Sequence, residues 1–313
     1  MAEIVLAEKM SITSNEYKTA LLNEFFAYLD VTRKTADTYK RALRQMFKYL
    51  SAQNVNVPCY EDILNFKKSL ELAGKKPATI SLYLAACRRF FSWCEQKGIC
   101  SNVAAGIKAP RQEKGHRRDF FGASQLKNIF AGMRRNTLRE KRDFAIMALM
   151  TVCGLRTIEV SRANVEDIHT LGGVMVLSVQ GKGRVDKKEF VKLPDTVLNA
   201  INDYLNERGQ CKETEPLFAG IGNRNKNGRM VTRTISMIAK TAMRQAGYNS
   251  SRLSAHSLRH SAVTLSLLGG QSLAEVQAFA RHSNIQTTQV YSHAVERIRS
   301  MCESTVCNAI FGA

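Results

Sequence analysis

HSLRHSAVTLSLLGGQSLAEVQAFARHSNIQTTQVYSH, residues 256–293, is the stretch that decides how the rest of the chain is read. It opens with His256, Arg259 and His260 and closes with His282 and Tyr291. These residue types suit work on a phosphodiester. Attack on that anion builds further negative charge on the phosphoryl oxygens, so fixed cations must face them. Arg259 offers a planar fork matched to phosphate. His256 lies three residues earlier and on a helix projects from the same face. His282 adds a third donor. Tyr291 is the candidate nucleophile. A phenol has a pKa of about 10, so it must lose its proton as it attacks.

Taken together, HSLRH, HSNIQTTQ and VYSH resemble the C-terminal signature of the tyrosine recombinases, the lambda-integrase type that includes the Xer proteins. That signature reads H-x-x-R, a later Gly-His, then Tyr. Arg281 stands where the family usually has glycine, which bears on the backbone before His282. Upstream, the apolar run AIMALMTV is followed by CGLRTIEV, with Arg156 and Glu159. The resemblance implies that Arg156 is the other phosphate-clamping arginine and that Glu159 orients it by ion pairing. Residues 174–179 and 188–193 read as two strands of a β-hairpin around QGKGRVDK, a glycine turn holding Lys182. In the family a mobile lysine on such a hairpin protonates the leaving 5′-oxygen, which implies that role for Lys182. A lysine ammonium of pKa about 10.4 can donate at neutral pH. Lys187 and Lys188 are weaker rivals.

Composition agrees with a polyanionic partner. The 313 residues fit two domains and carry a net charge of +19, with a pI near 9.8. The excess is +6 over residues 1–110 and +13 over 111–313, so both halves can meet phosphate. The eight cysteines form no CxxC pair and no Cys/His metal spacing, and read as free thiols of a reducing cytoplasm. No apolar run approaches the roughly 20 residues of a membrane span, and no signal-peptide pattern is present. The expected setting is the cytoplasm, at the nucleoid, with no membrane partner.

From the N-terminus, Thr13–Glu16 reads as a capping box opening a helix with Tyr17, Leu21, Phe25 and Leu29 on its apolar face. Further helices follow Thr35, span residues 60–73 up to Gly74, and run from Pro77 to about Lys97. Residues 14–104 thus make an all-helical domain whose exposed faces carry Lys40, Arg41, Arg44, Arg88 and Arg89. The resemblance makes this a SAM-like core-binding domain gripping DNA opposite the catalytic domain. Residues 105–118, with Lys108, Arg111, Arg117 and Arg118, read as a solvated basic linker of a clamp. Residues 119–313 are the expected catalytic domain, mainly α with a small β-sheet. Helices are expected over 124–133, 141–153 and 195–208. A basic DNA-backbone loop follows at 220–229, then a helix over 231–246 with Arg233, Lys240 and Arg244. The tail after Tyr291 ends in an apolar helix with Met301, Val306, Ile310 and Phe311. In the family such tails dock on a neighbouring protomer.

The expected activity is therefore site-specific DNA recombination through a 3′-phosphotyrosine, for integration and excision of a mobile element or for replicon resolution. The phosphotyrosine conserves bond energy, so neither cofactor nor metal is expected. The expected partners are double-stranded DNA, three further copies of the chain on two DNA sites, and an accessory directionality factor. The alternatives are a type IB-like topoisomerase, which would act as a monomer, and a DNA-binding regulator that lacks catalysis.

Overall fold

The computed structural model describes residues 15–111, 119–181 and 186–312. The chain divides into two units, Met1–Lys114 and Gly115–Ala313, and the division falls within the 105–118 segment.

Apolar residues at helical spacing build the first unit. Its helices are α1 (Asn15–Tyr28), α2 (Arg33–Ala52), α3 (Tyr60–Leu72) and α4 (Pro77–Gln96). The expected faces close on one core, where Phe25, Leu43, Met46, Phe47, Ile63, Phe66 and Phe90 are buried. Phe90 meets Phe25 and Phe47 edge to face, at ring distances of 5.3 and 5.6 Å. That geometry suits the quadrupoles of the rings, and each fully buried phenylalanine contributes about 1.5–3 kcal/mol. Pro77 opens α4, while Gly74 and Gly98, at φ +66° and +67°, follow the ends of α3 and α4. α2 begins at Arg33, ahead of the expected start, because the Thr32 hydroxyl accepts from the Thr35 backbone N–H at 3.4 Å. The linker also differs from expectation. Ile107 is buried in this core, so the first residues of 105–118 are part of the domain rather than a solvated tether.

The second unit is assembled around α6. Its helices are α5 (Ala123–Ala131), α6 (Leu138–Val152), α7 (Thr157–Arg162), α8 (Asp195–Arg208) and α9 (Thr232–Gln245). They continue with α10 (Ala255–Leu268), α11 (Leu273–Ala280), α12 (Gln286–Arg299) and α13 (Cys302–Phe311). α6 starts earlier than expected because of a capping box. The Thr137 hydroxyl accepts from the Glu140 N–H at 3.3 Å, and the Glu140 carboxylate accepts from the Thr137 N–H at 3.2 Å. The following run Ala145–Met150 is buried.

A three-stranded antiparallel sheet, in the order β1 (Ile168–Leu171), β2 (Val174–Val179) and β3 (Glu189–Lys192), covers this core. β2 and β3 pair as the hairpin expected, with Leu177 opposite Val191, both buried. β1 is an addition to the expected pair. It joins β2 through Gly172 and Gly173, at φ +57° and +79°. Two successive residues at positive φ are the tight hairpin signal that a Gly-Gly pair provides.

Candidate active site

Arg259 stands on α10 and is 2% exposed. One arm of its fork donates to the Gly154 carbonyl at 2.5 Å and the other to the Ala280 carbonyl. Gly154 ends α6 at φ +60°, and a Cβ there would lie 3.2 Å from the Phe279 ring. Glycine is needed at that turn on both counts. Arg259 thereby fastens α10 to the turn before α7 and to the end of α11. Burial, with Arg156 and Arg281 alongside, lowers its pKa to about 9, opposed by Glu159 and Tyr291, so it remains a cation at neutral pH.

Arg156 is the N-cap residue of α7, and Glu159 one turn on is fully buried. The Glu159 carboxylate accepts from the Arg156 backbone N–H at 2.8 Å and from its Nη1 at 2.7 Å. Burial alone would raise the pKa of this carboxyl. Arg281, the Arg156 N–H, Arg156 and Arg259 together outweigh burial and hold it below the usual range. The two residues of R-x-x-E are therefore one ion-paired unit.

Arg281 occupies the C-cap of α11 in the left-handed region, at φ +51° and ψ +47°. This is the conformation glycine adopts most easily, which explains the usual residue at this place in the resemblance. The Arg281 side chain is 4% exposed and points into the site, where Nη2 donates to Glu159 Oε2 at 2.9 Å. His282 follows immediately. Its Nδ1 lies 2.9 Å from the Thr288 hydroxyl, and its ring stacks at 6.3 Å from that of Tyr291. Burial first, then Arg259, Arg156, Arg281 and His256, lower its pKa to about 4. At neutral pH His282 is an uncharged imidazole.

Tyr291 lies on α12 and is 5% exposed. Its phenol is hydrogen bonded to His260 Nδ1, with ring centroids 5.2 Å apart. His256, exposed on the preceding turn of α10, meets the His260 ring edge-on at 4.5 Å. Burial pushes the Tyr291 phenol up to about 12, against the pull of Arg259 and Arg156. To act as a nucleophile, a phenol so disposed would need a proton acceptor, and His260 is in contact with it.

Of the expected catalytic residues, Arg156, His256, Arg259, His282 and Tyr291 are in this contact network. Lys182 lies outside the described residues, as do Arg117 and Arg118 in the linker. The rival Lys187 is committed elsewhere, with Nζ 2.6 and 2.8 Å from the two oxygens of buried Asp167. Lys188 pairs with Asp186 at 3.1 Å and is largely exposed. Lys40, Arg41, Arg44, Arg89, Lys108, Arg111, Arg233 and Arg244 are exposed, and Arg88 is half-buried. Lys240 donates to the Ser250 and Leu253 carbonyls at 2.6 and 3.2 Å, so its ammonium ties the loop before α10. In the 220–229 loop Arg229 is exposed, and its guanidinium donates to the Ser161 and Ala163 carbonyls and to Asn164 Oδ1.

Sequence reasoning gave no role to His260 or to the Arg281 side chain. His260 was accessible, since it sits four residues after His256 and so on the same helix face. Arg281 was visible only as a departure from glycine. Nothing in its spacing says where the guanidinium goes.

A family model described as "Phage integrase family" matches residues 119–297. One described as "Phage integrase, N-terminal SAM-like domain" matches residues 22–98. The chain is 31% identical over 282 residues to tyrosine recombinase XerC of Haemophilus influenzae, covering 87% of this chain and 92% of that one. It is 28% identical over 299 residues to tyrosine recombinase XerD of Oceanobacillus iheyensis, covering 90% and 97%. Its fold is similar to that of the XerH site-specific recombinase bound to a palindromic difH substrate after cleavage, with a TM-score of 0.72 and 19% identity, over 89% of this chain and 80% of that one. It is also similar to lambda integrase, solved as a tetramer bound to a Holliday junction, with a TM-score of 0.65 and 17% identity, over 87% and 76%.

Proposed function

The chain belongs to the phage integrase family of site-specific tyrosine recombinases, and from that premise we propose how its residues cut and rejoin DNA. The Tyr291 oxygen attacks the phosphorus, and His260 Nδ1 takes the phenolic proton. His256 meets the far side of this pair through the His260 ring and is exposed. The bond from phosphorus to the 5′-oxygen breaks, and Lys182 protonates that oxygen. Arg156, Arg259, His256 and His282 hold the non-bridging oxygens while charge accumulates. The product is a 3′-phosphotyrosine. A 5′-hydroxyl of a partner duplex then attacks it, returns the proton to the tyrosine and restores the diester.

The observation that carries this reading is the phenol of Tyr291 bonded to His260 in a network with Arg156, Arg259 and His282. Tyr291→Phe tests it. That variant should bind its DNA site as the wild type does and give no covalent protein–DNA band on a denaturing gel. Undiminished adduct would remove Tyr291 from the role.

Four protomers on two duplexes is the proposed assembly, because strand exchange needs four cut strands held together. α13 supports it. Its Val306, Ile310 and Phe311 are 56%, 65% and 78% exposed, an apolar face its own domain leaves uncovered. We assign it to docking on a neighbouring protomer. The exposed basic residues of both units, with the linker, are the proposed contacts to the DNA backbone. The proposed setting is the nucleoid in the cytoplasm, on mobile-element ends or replicon dimers, with an accessory protein setting direction. No helix among the described residues is long and apolar enough to cross a membrane.

A further inference from the structure

We propose that Arg281 is a positioning residue of the phosphate site: its guanidinium locks the Glu159 carboxylate, and through it Arg156, to the turn that carries His282.

The contacts of this side chain join three elements. Nη2 donates to Glu159 Oε2 on α7 at 2.9 Å and to the Gly154 carbonyl, which ends α6, at 3.3 Å. Nη1 donates to the Phe279 carbonyl on α11 at 2.8 Å. The lock is reciprocal, since Arg156 Nη2 donates to the Arg281 carbonyl at 3.4 Å. The Gly154 carbonyl is also the acceptor for Arg259. One side chain therefore touches the supports of Arg156, Arg259 and His282, the groups assigned to the phosphoryl oxygens. A planar fork can do this, whereas an ammonium cannot bond several fixed acceptors in one plane.

The turn itself does not require arginine. At φ +51° a side chain is strained and glycine is not. Arg281 Nε is moreover buried with no hydrogen-bond partner, a desolvation cost glycine would not carry. A residue held in a strained conformation with an unpaired polar atom, inside a reactive site, is an outlier that points to function. Its charge also reaches the neighbouring imidazole. The groups facing His282 are Arg259 and His256 from α10, Arg156 at the start of α7, Arg281 itself, and Thr288 and Tyr291 from α12.

The effect on cleavage rests on the recombinase reading, so the test has one readout that needs no DNA. Arg281→Gly and Arg281→Lys are made in the full chain. In the free protein, the His282 ring is titrated by NMR, with its signal assigned by its loss in His282→Asn. Arg281→Gly should move the His282 midpoint upward from about 4, and Arg281→Lys, which keeps the charge, should leave it nearer the wild type. Single-turnover cleavage is then measured at saturating protein, on a duplex whose site the wild type selects from a random-sequence pool. Arg281→Gly should bind that duplex unchanged and cleave it about tenfold or more slowly, the usual effect of losing an orienting partner. Arg281→Lys should recover the rate only in part. Wild-type cleavage by Arg281→Gly with an unmoved His282 midpoint would overturn the proposal. If Arg281→Gly loses its melting transition, Arg281→Asn, which tolerates this backbone, replaces it, and wild-type rates in both Asn and Lys variants overturn the proposal. If the wild type forms no adduct on any selected duplex, it is the recombinase reading that fails, and the His282 midpoint alone decides on Arg281.

Discussion

A phenol raised to about 12 is a poor nucleophile at neutral pH, so its proton acceptor governs the rate. If His260 takes the proton during attack, cleavage should vary little between pH 7 and 8.5. In His260→Ala the phenolate must form beforehand. Its population rises tenfold per pH unit below that pKa, so single-turnover cleavage should become slower and steeply pH-dependent. A flat profile for His260→Ala would remove His260 as acceptor. The leaving group has its own test. Lys182→Ala should slow cleavage by roughly 10²–10⁴-fold, the usual worth of a general acid. A 5′-sulfur leaving group needs no proton and should restore the rate; no rescue would point to another donor. At this scale the sequence singles out candidates wherever a residue type is dictated by chemistry, as for Arg259 and Tyr291, which the fold brings into one network. It was unreadable where tertiary contact decides. His260 meets Tyr291 because α12 packs over α10, and Arg281 meets Glu159, which lies 122 residues earlier.

Among the elements, helices were legible because burial imposes a 3.6-residue period on them. Their starts were less so, because caps are made by side chains such as Thr32 and Thr137 whose bonds are not visible in a pattern. β1 was missed because four mostly exposed residues carry too little alternation, although the Gly172–Gly173 pair marks its turn. α13 gives the prediction of this scale. None of its residues is buried on its own domain, so deleting residues 304–313 should leave the melting temperature and single-site binding nearly unchanged. If Ile310 and Phe311 are buried on a neighbour, each contributes about 1.5–3 kcal/mol there. The truncated protein should then form less of the four-protomer complex and fail to complete recombination. A lowered melting temperature with intact assembly would show that the tail serves its own chain.

For the molecule as a whole, charge is the property to measure. The net +19 is shared by both units. If each protomer neutralises about ten phosphates, the log–log salt slope of binding should be near −9, at about −0.9 per contact. A slope shallower than about −3 would make most of this charge idle. The two-unit organisation could be read from the sequence because each unit has its own run of amphipathic helices. The DNA site could not, because base-edge recognition depends on a few side chains placed in three dimensions.

The grip between α10 and α12 is a feature of a single chain. Tyr291 is bonded to His260, and eight residues on Arg299 donates to the Leu267 and Leu268 carbonyls at 3.1 and 2.5 Å, closing the end of α10. The blade and the clamp that works it thus belong to one polypeptide. On the proposed mechanism cutting should therefore act in cis, and mixing Arg259→Ala protein with Tyr291→Phe protein should not restore covalent adduct. Under that proposal the order in which strands open is set from outside the cutter, by what a neighbouring protomer does to the position of α12.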